Sequence, residues 1–103
     1  DLMAPEIMVY SPHEKETFDA TDSISIEMDV IENFKLHDVY LQLYPEGSNE
    51  RIWQFYVHSH QKNVEIRETI APGLLELGKY RLVIESQDHD YNLNSIVKSF
   101  TVK

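Results

Sequence analysis

His58-Ser59-His60 is the sharpest chemical feature of the chain. On a β-strand, residues i and i+2 point to one face about 6.5 Å apart, a spacing at which two imidazoles can share a zinc or copper ion. Further ligands would have to come from neighbouring strands, and His13, His37 and His89 are available for that. The alternative is a pair of solvent-facing histidines ending an amphipathic strand. Asp88-His89-Asp90-Tyr91-Asn92 sets Asp88, Asp90 and Asn92 at alternate positions, as a calcium loop begins. The glycine and glutamate needed later in such a loop are Leu93 and Ser99 here, so these residues can equally close a turn through their own backbone. Asp22, Glu32 and Asn33 could join that loop at one end of the domain. A third group is aromatic: Tyr40, Tyr44 and Tyr56, with Gln42 and Gln54, would form a partly apolar face able to contact a protein or a glycan. Its alternative is a set of tyrosines that cover a sheet face or meet an adjoining domain.

These side chains depend on strands to position them, and the patterning supplies strands. Ile24, Ile26, Met28 and Val30 alternate with Ser23, Ser25, Glu27 and Asp29, the pattern of a strand with one wet face. Val39, Leu41 and Leu43 alternate with Asp38, Tyr40, Gln42 and Tyr44, and Pro45-Glu46-Gly47-Ser48-Asn49 then marks a turn. Trp53, Phe55 and Val57 face one way while Gln54, Tyr56, His58 and His60 face the other. Strands follow through Val64 to Ile70, Tyr80 to Ile84 and Phe100 to Val102, and Ile7 and Val9 open the chain with a short one. No apolar stripe of helical period is sustained. About seven strands with turn signals between them predict an all-β fold, an immunoglobulin-like antiparallel β-sandwich, as a single domain over 1–103. Leu77-Gly78-Lys79-Tyr80 predicts a tyrosine corner, in which Tyr80 buries its ring and sends its hydroxyl to a nearby backbone group. The expected core is Ile24, Ile26, Met28, Val39, Leu41, Leu43, Trp53, Phe55, Ile66, Tyr80, Leu82, Ile84 and Phe100.

An ordered series of local motifs runs along nearly the whole chain. Pro5-Glu6-Ile7 opens a strand, Asp22 precedes the alternating second strand, and Glu32-Asn33-Phe34-Lys35-Leu36 leads into the third. A lone Trp53, Leu77-Gly78-Lys79-Tyr80, Asp88 to Asn92, and Phe100-Thr101-Val102 follow. In this order the chain resembles the immunoglobulin-like or cadherin-like domains of an uncharacterised family of exported Gram-negative lipoproteins, anchored through a lipid upstream of the domain. The resemblance implies a periplasmic or cell-surface location and no catalysis. Members of that family carry histidines on several strands, whereas the matching positions here hold Ile24, Tyr44, Arg67, Thr69, Arg81 and Val83. The resemblance therefore carries no metal role over to this chain.

Composition narrows the function classes. The 103 residues hold 42% hydrophobic and 11% aromatic side chains, enough for a folded core, and no cysteine for a disulfide or thiolate metal site. The net charge of −9 argues against nucleic acid, whose binding rests on clustered lysine and arginine. Residues 1 to 50 carry twelve acids and two bases, and residues 51 to 103 carry six acids and seven bases. Glu14, Glu16, Asp19 and Asp22 crowd between the first two strands, which predicts an acidic end that repels anionic polymers and attracts cations or a basic partner. No apolar run reaches the roughly 20 residues of a membrane helix. No Gly-x-Ser-x-Gly elbow, phosphate-cradling glycine loop or His-Glu-x-x-His segment occurs. Glu27 and Asp29 sit on the wet parity of their strand, where pairing with Arg67 across strands suits them better than acid–base chemistry. The expectation is a non-enzymatic interaction, adhesion or spacer module without a cofactor. Its partners would be proteins or glycans at the cell surface, with neighbouring domains. The rivals are a zinc- or copper-binding domain using His58 and His60, and a glycan-binding module using the outward tyrosines.

Overall fold

The alternating segments are extended chain throughout. The computed structural model describes residues 4–32 and 36–103, with the backbone alone at Leu36 and His37. Eight strands occur among the described residues: β1 (Glu6–Ser11), β2 (Glu16–Phe18), β3 (Ile24–Ile31), β4 (Leu36–Pro45), β5 (Trp53–His58), β6 (Asn63–Ile70), β7 (Gly78–Asp88) and β8 (Leu93–Val102). They form a three-stranded sheet in the order β1-β3-β6 and a five-stranded sheet in the order β2-β8-β7-β4-β5. This is the two-sheet, immunoglobulin-like sandwich that the patterning predicts. It differs in one strand. Glu16-Thr17-Phe18 is too short to show alternation, yet it pairs in parallel with Phe100-Thr101-Val102, so the sandwich is not wholly antiparallel. The chain reaches that position by leaving the edge of the small sheet at Ser11 and crossing to the edge of the large one. Backbone bonds from Lys15 N to Ser99 O (2.6 Å) and from Lys103 N to Phe18 O (3.0 Å) hold it there.

Between the sheets, β3 buries Ile24, Ile26, Met28 and Val30 against Val39, Leu41 and Leu43 of β4 and Tyr80, Leu82 and Ile84 of β7. Each such side chain contributes roughly 1.5–3 kcal/mol on leaving water. Trp53 and Phe55, expected in the core, are only half-buried against it. They lie on β5, the edge of a five-stranded sheet opposed by only three strands, so the second layer does not fully cover them. The tyrosine corner forms: the Tyr80 hydroxyl donates to Glu76 O at 2.5 Å, and its ring stacks on Phe100 at 5.6 Å. Burial first, and the Glu76 charge second, push the Tyr80 hydroxyl above its ordinary pKa.

The register fixes what each sheet presents outward. On the small sheet, Glu27 lies opposite Arg67, and Asp29 lies between Met8 and Glu65. On the large sheet, Tyr56, Tyr40, Glu85 and Ser95 form one cross-strand row, and His58, Asp38, Gln87 and Leu93 form the next.

Candidate functional site

The outward tyrosines expected from sequence do meet, on the face of the large sheet. Tyr40 and Tyr56 are cross-strand partners with ring centroids 4.5 Å apart and planes inclined by 32°. Both are exposed, at 43% and 48%. The Tyr56 hydroxyl donates to Asp38 Oδ1. This hydrogen bond, with smaller contributions from lost solvent and from the carboxylate's charge, pushes the Tyr56 pKa up to about 12. Tyr44 departs from the expected platform. Its ring lies 4.7 Å beneath the Arg81 guanidinium, its cross-strand partner, and its hydroxyl donates to Gln42 Oε1 at 2.8 Å. A ring covered by the chain's own arginine offers a ligand no such face, so the usable aromatic pair is Tyr40 and Tyr56.

Beside Tyr40, on the side away from Tyr56, an open groove of about 320 Å³ is lined by Tyr40, Gln42, Glu85, Gln87 and Leu93. Three of these come from β7 and β8, which the sequence left incomplete as strands. Ile96-Val97 breaks the alternation of β8 by placing apolar residues on both parities. The same irregularity was the available signal, since Leu93 and Val97 fall on the outward parity and stay 57% and 48% exposed.

His58 and His60 are neighbours, with ring centroids 4.9 Å apart and planes nearly perpendicular. They do not share a strand, because β5 ends at His58. His58 Nδ1 lies 3.1 Å from Asp38 Oδ1, and since a carboxylate only accepts, the imidazole carries a proton on that nitrogen. Of the expected extra ligands, His13 contacts Glu16 at 3.3 Å in the β1–β2 connection, His89 sits in the β7–β8 turn, and the side chain of His37 lies outside the described residues. Among the described residues no three His, Cys, Asp or Glu side chains group to hold a metal ion.

The Asp88 segment closes the β7–β8 turn. Asp88, 1% exposed, accepts at Oδ1 from the backbone N–H of Asp90 (2.9 Å) and Asn92 (2.8 Å), and at Oδ2 from Asn92 Nδ2 (2.9 Å). Burial alone would raise its pKa. The hydrogen bonds from Asn92, from the buried Glu32 side chain and from Asp90 outweigh burial and hold the carboxyl below the usual range. These donors occupy lone pairs that a calcium ion would use. Glu32 does join this loop, as expected from sequence. Asp22 does not, because it precedes β3 and Glu32 follows it, which puts them at opposite ends of the sandwich. Asn33 lies outside the described residues.

Two of the acids between the first strands accept local hydrogen bonds. Glu14 accepts from Ser99 N at 3.0 Å, and Asp19 accepts from Thr21 N at 2.9 Å and from its hydroxyl at 2.7 Å. The backbone N–H of Thr21 first, then its hydroxyl, lowers the Asp19 pKa.

No protein-family model matches the chain, and no curated protein does. Among solved structures it is similar to a fibronectin(III)-like module of CbhA from Clostridium thermocellum, with 19% identity and a TM-score of 0.62 over 95% of this chain and 96% of that one. It is also similar to CopC from Methylosinus trichosporium OB3b, with 11% identity and a TM-score of 0.59 over 95% and 94%. Murine CRIg matches at 14% identity and a TM-score of 0.52 over 96% of each chain. At such identities the likeness is one of fold. It defines the class: a sandwich of the immunoglobulin and fibronectin III type.

Proposed function

We propose that the chain is a non-enzymatic interaction module of an exported cell-envelope lipoprotein, binding a protein or a glycan through the outer face of its five-stranded sheet. One observation carries this reading. Tyr40, Tyr56, Leu93 and Val97 are each close to half exposed on adjacent rows of a single face. Single exposed apolar residues are ordinary on a soluble domain, whereas a cluster rimmed by polar side chains is how contact sites look. Gln42, Gln54 and Gln87 supply that rim. Export and lipid anchoring rest on the ordered motif series from Pro5 to Val102. The test is surface plasmon resonance of the purified domain against a glycan array and purified envelope proteins. A binder that is lost on Tyr40→Ala and on Leu93→Ser supports the reading; binding indifferent to both changes, or none at all, leaves only a spacer. Cell fractionation and palmitate labelling of the full-length protein test the location.

A second reading is favoured by His58. A carboxylate on one imidazole nitrogen is the arrangement that orients a metal-binding histidine, and Asp38 stands there while the His60 ring lies edge-on to His58. Zinc or copper would bind these two imidazoles and complete its shell with water. Titration with either metal, followed through the histidine ring protons, decides this: unmoved His58 and His60 signals eliminate it.

A further inference from the structure

Among the described residues the molecule twice places its own arginine over its own tyrosine. Arg81 covers Tyr44 on the large sheet. On the small sheet, Arg67 lies 5.6 Å from the Tyr10 ring centroid, and Asp29 binds both groups: Oδ2 accepts from the Tyr10 hydroxyl at 2.8 Å, and Oδ1 from Arg67 Nη2 at 3.1 Å. The second cluster combines an aromatic ring, a carboxylate and a guanidinium. Tyr40 and Glu85 repeat its first two parts. They are cross-strand partners on the same two strands as Tyr44 and Arg81, four residues along each strand, but the position facing the tyrosine is a carboxylate. Among the described residues no lysine or arginine lies over Tyr40 or pairs with Glu85.

We propose that the groove between Tyr40, Glu85 and Leu93 receives a lysine or arginine side chain from a basic segment of a partner protein. This rests on the reading of the large-sheet face as the interaction surface and names what that surface takes. Tyr56 occupies one side of Tyr40 and the groove opens on the other, so a cation can approach the ring there. Cations are attracted to a tyrosine face, and more so beside a carboxylate that accepts their hydrogen bonds. Leu93, 57% exposed, offers apolar surface to the methylene stem, as amphipathic basic side chains require. Gln87 flanks the same space with an amide oxygen for a remaining N–H donor, and the Gln42 oxygen, which already accepts from the Tyr44 hydroxyl, has a second lone pair. The chain's net charge of −9 draws a basic segment toward the domain, while the groove selects where it docks.

The test uses a short glycine- and serine-based peptide carrying two arginines, and the same peptide with citrulline in their place, titrated into isotope-labelled protein. The arginine peptide is expected to shift the amide signals of Gln42, Glu85, Gln87 and Leu93 and the ring protons of Tyr40 in a saturable way. Glu85→Gln and Tyr40→Leu should each weaken it about five-fold or more, the order of one cation–π or charge-assisted contact. Melting curves confirm that both variants fold, and Leu93→Ser serves if either does not. Equal binding of the citrulline peptide overturns the proposal, as does indifference to Glu85→Gln. Shifts centred on Glu27, Asp29 and Glu65 of the other sheet overturn it too, since they report attraction to net charge alone. A neutral glycan that needs Tyr40 but not Glu85 would overturn this inference and leave the interaction face standing. Failure of peptide, glycans and envelope proteins alike removes both.

Discussion

The outer faces of the two sheets are built from similar residue types and reach opposite states. On the small sheet, Arg67 donates to Asp29 and to the backbone oxygens of Met28 (2.9 Å) and Ile66 (2.9 Å), and its Nε lies 3.9 Å from Glu27 Oε2. One guanidinium there gathers two carboxylates and Tyr10 into a closed network. On the large sheet, Arg81 is drawn to Tyr44, to Pro45 O (3.2 Å) and to Asn49 (3.3 Å), near the β4–β5 turn. The row beyond it sets the Tyr40 ring beside the Glu85 carboxylate, with no lysine or arginine over that ring or paired with that carboxylate among the described residues. A matched face stabilises the domain that bears it, and an unmatched one is available to something else.

The turn at the end of β7 offers the largest way to disturb this contrast. Asp88→Ala removes the acceptor for three donors in a buried loop, and should cost about 2 to 3 kcal/mol, on the scale of polar groups left unsatisfied. Thermal melting by circular dichroism reads it as a drop of roughly 10 °C or more. Because the same turn sets the position of Leu93, the groove should lose its ligand as well. A variant as stable as the parent would mean that the turn is not held by this side chain. Because the folded Asp88 pKa is depressed, its contribution is fully present above the unfolded carboxyl pKa, near 4, and is lost as pH falls through the folded value. Acid titration of the parent should therefore lose a component of stability that the variant lacks.

On the closed face, Arg67→Ala should cost about 1 kcal/mol or less, because the side chain is 44% exposed and its ion pairs are screened. That loss should shrink as salt is raised, and Arg67→Lys should not fully restore stability, since an ammonium cannot reach both carbonyls and both carboxylates in one plane. Peptide binding should be untouched. On the open face the signs reverse: Glu85→Gln and Leu93→Ser should change stability by no more than about 0.5 kcal/mol while altering binding. A loss above about 1 kcal/mol at Leu93 would show that the open face is part of the fold's own packing.

The smallest effect concerns Tyr56. Ultraviolet titration should show one tyrosine ionising near pH 12, and Asp38→Asn should return it toward the ordinary range by removing the accepting carboxylate. A raised tyrosine pKa stabilises the fold below about pH 10, where the hydroxyl is protonated in both states, and that contribution disappears as pH rises through about 12. Tyrosines titrating together in both proteins would break the link between Tyr56 and Asp38.

Much of the fold was legible because a half-buried strand must alternate. Ile24 to Val30 and Val39 to Leu43 fall on the buried parity with every apolar residue. Tyr80 was legible because a corner tyrosine needs a glycine and a leucine just before it, and Arg67 because Glu27 and Asp29 stood on a wet parity that called for a base. The half-buried state of Trp53 was not, since it depends on how many strands the opposite sheet has. Nor was β2, whose three residues owe their conformation to β8, some eighty positions away.

Local chemistry and periodicity, written residue by residue along the chain, determined by themselves the two-sheet class of the fold, most of its core, the outward parity of Tyr40 and Tyr56 and the acidic balance. Only the tertiary structure decided which of these side chains meet. It brought Glu85 and Leu93 to Tyr40, Arg81 over Tyr44, Asp38 between Tyr56 and His58, and Glu32 rather than Asp22 to Asp88. The reason is physical: alternation sets which face a residue takes, whereas register across strands sets its neighbours, and register is fixed by pairings between distant segments.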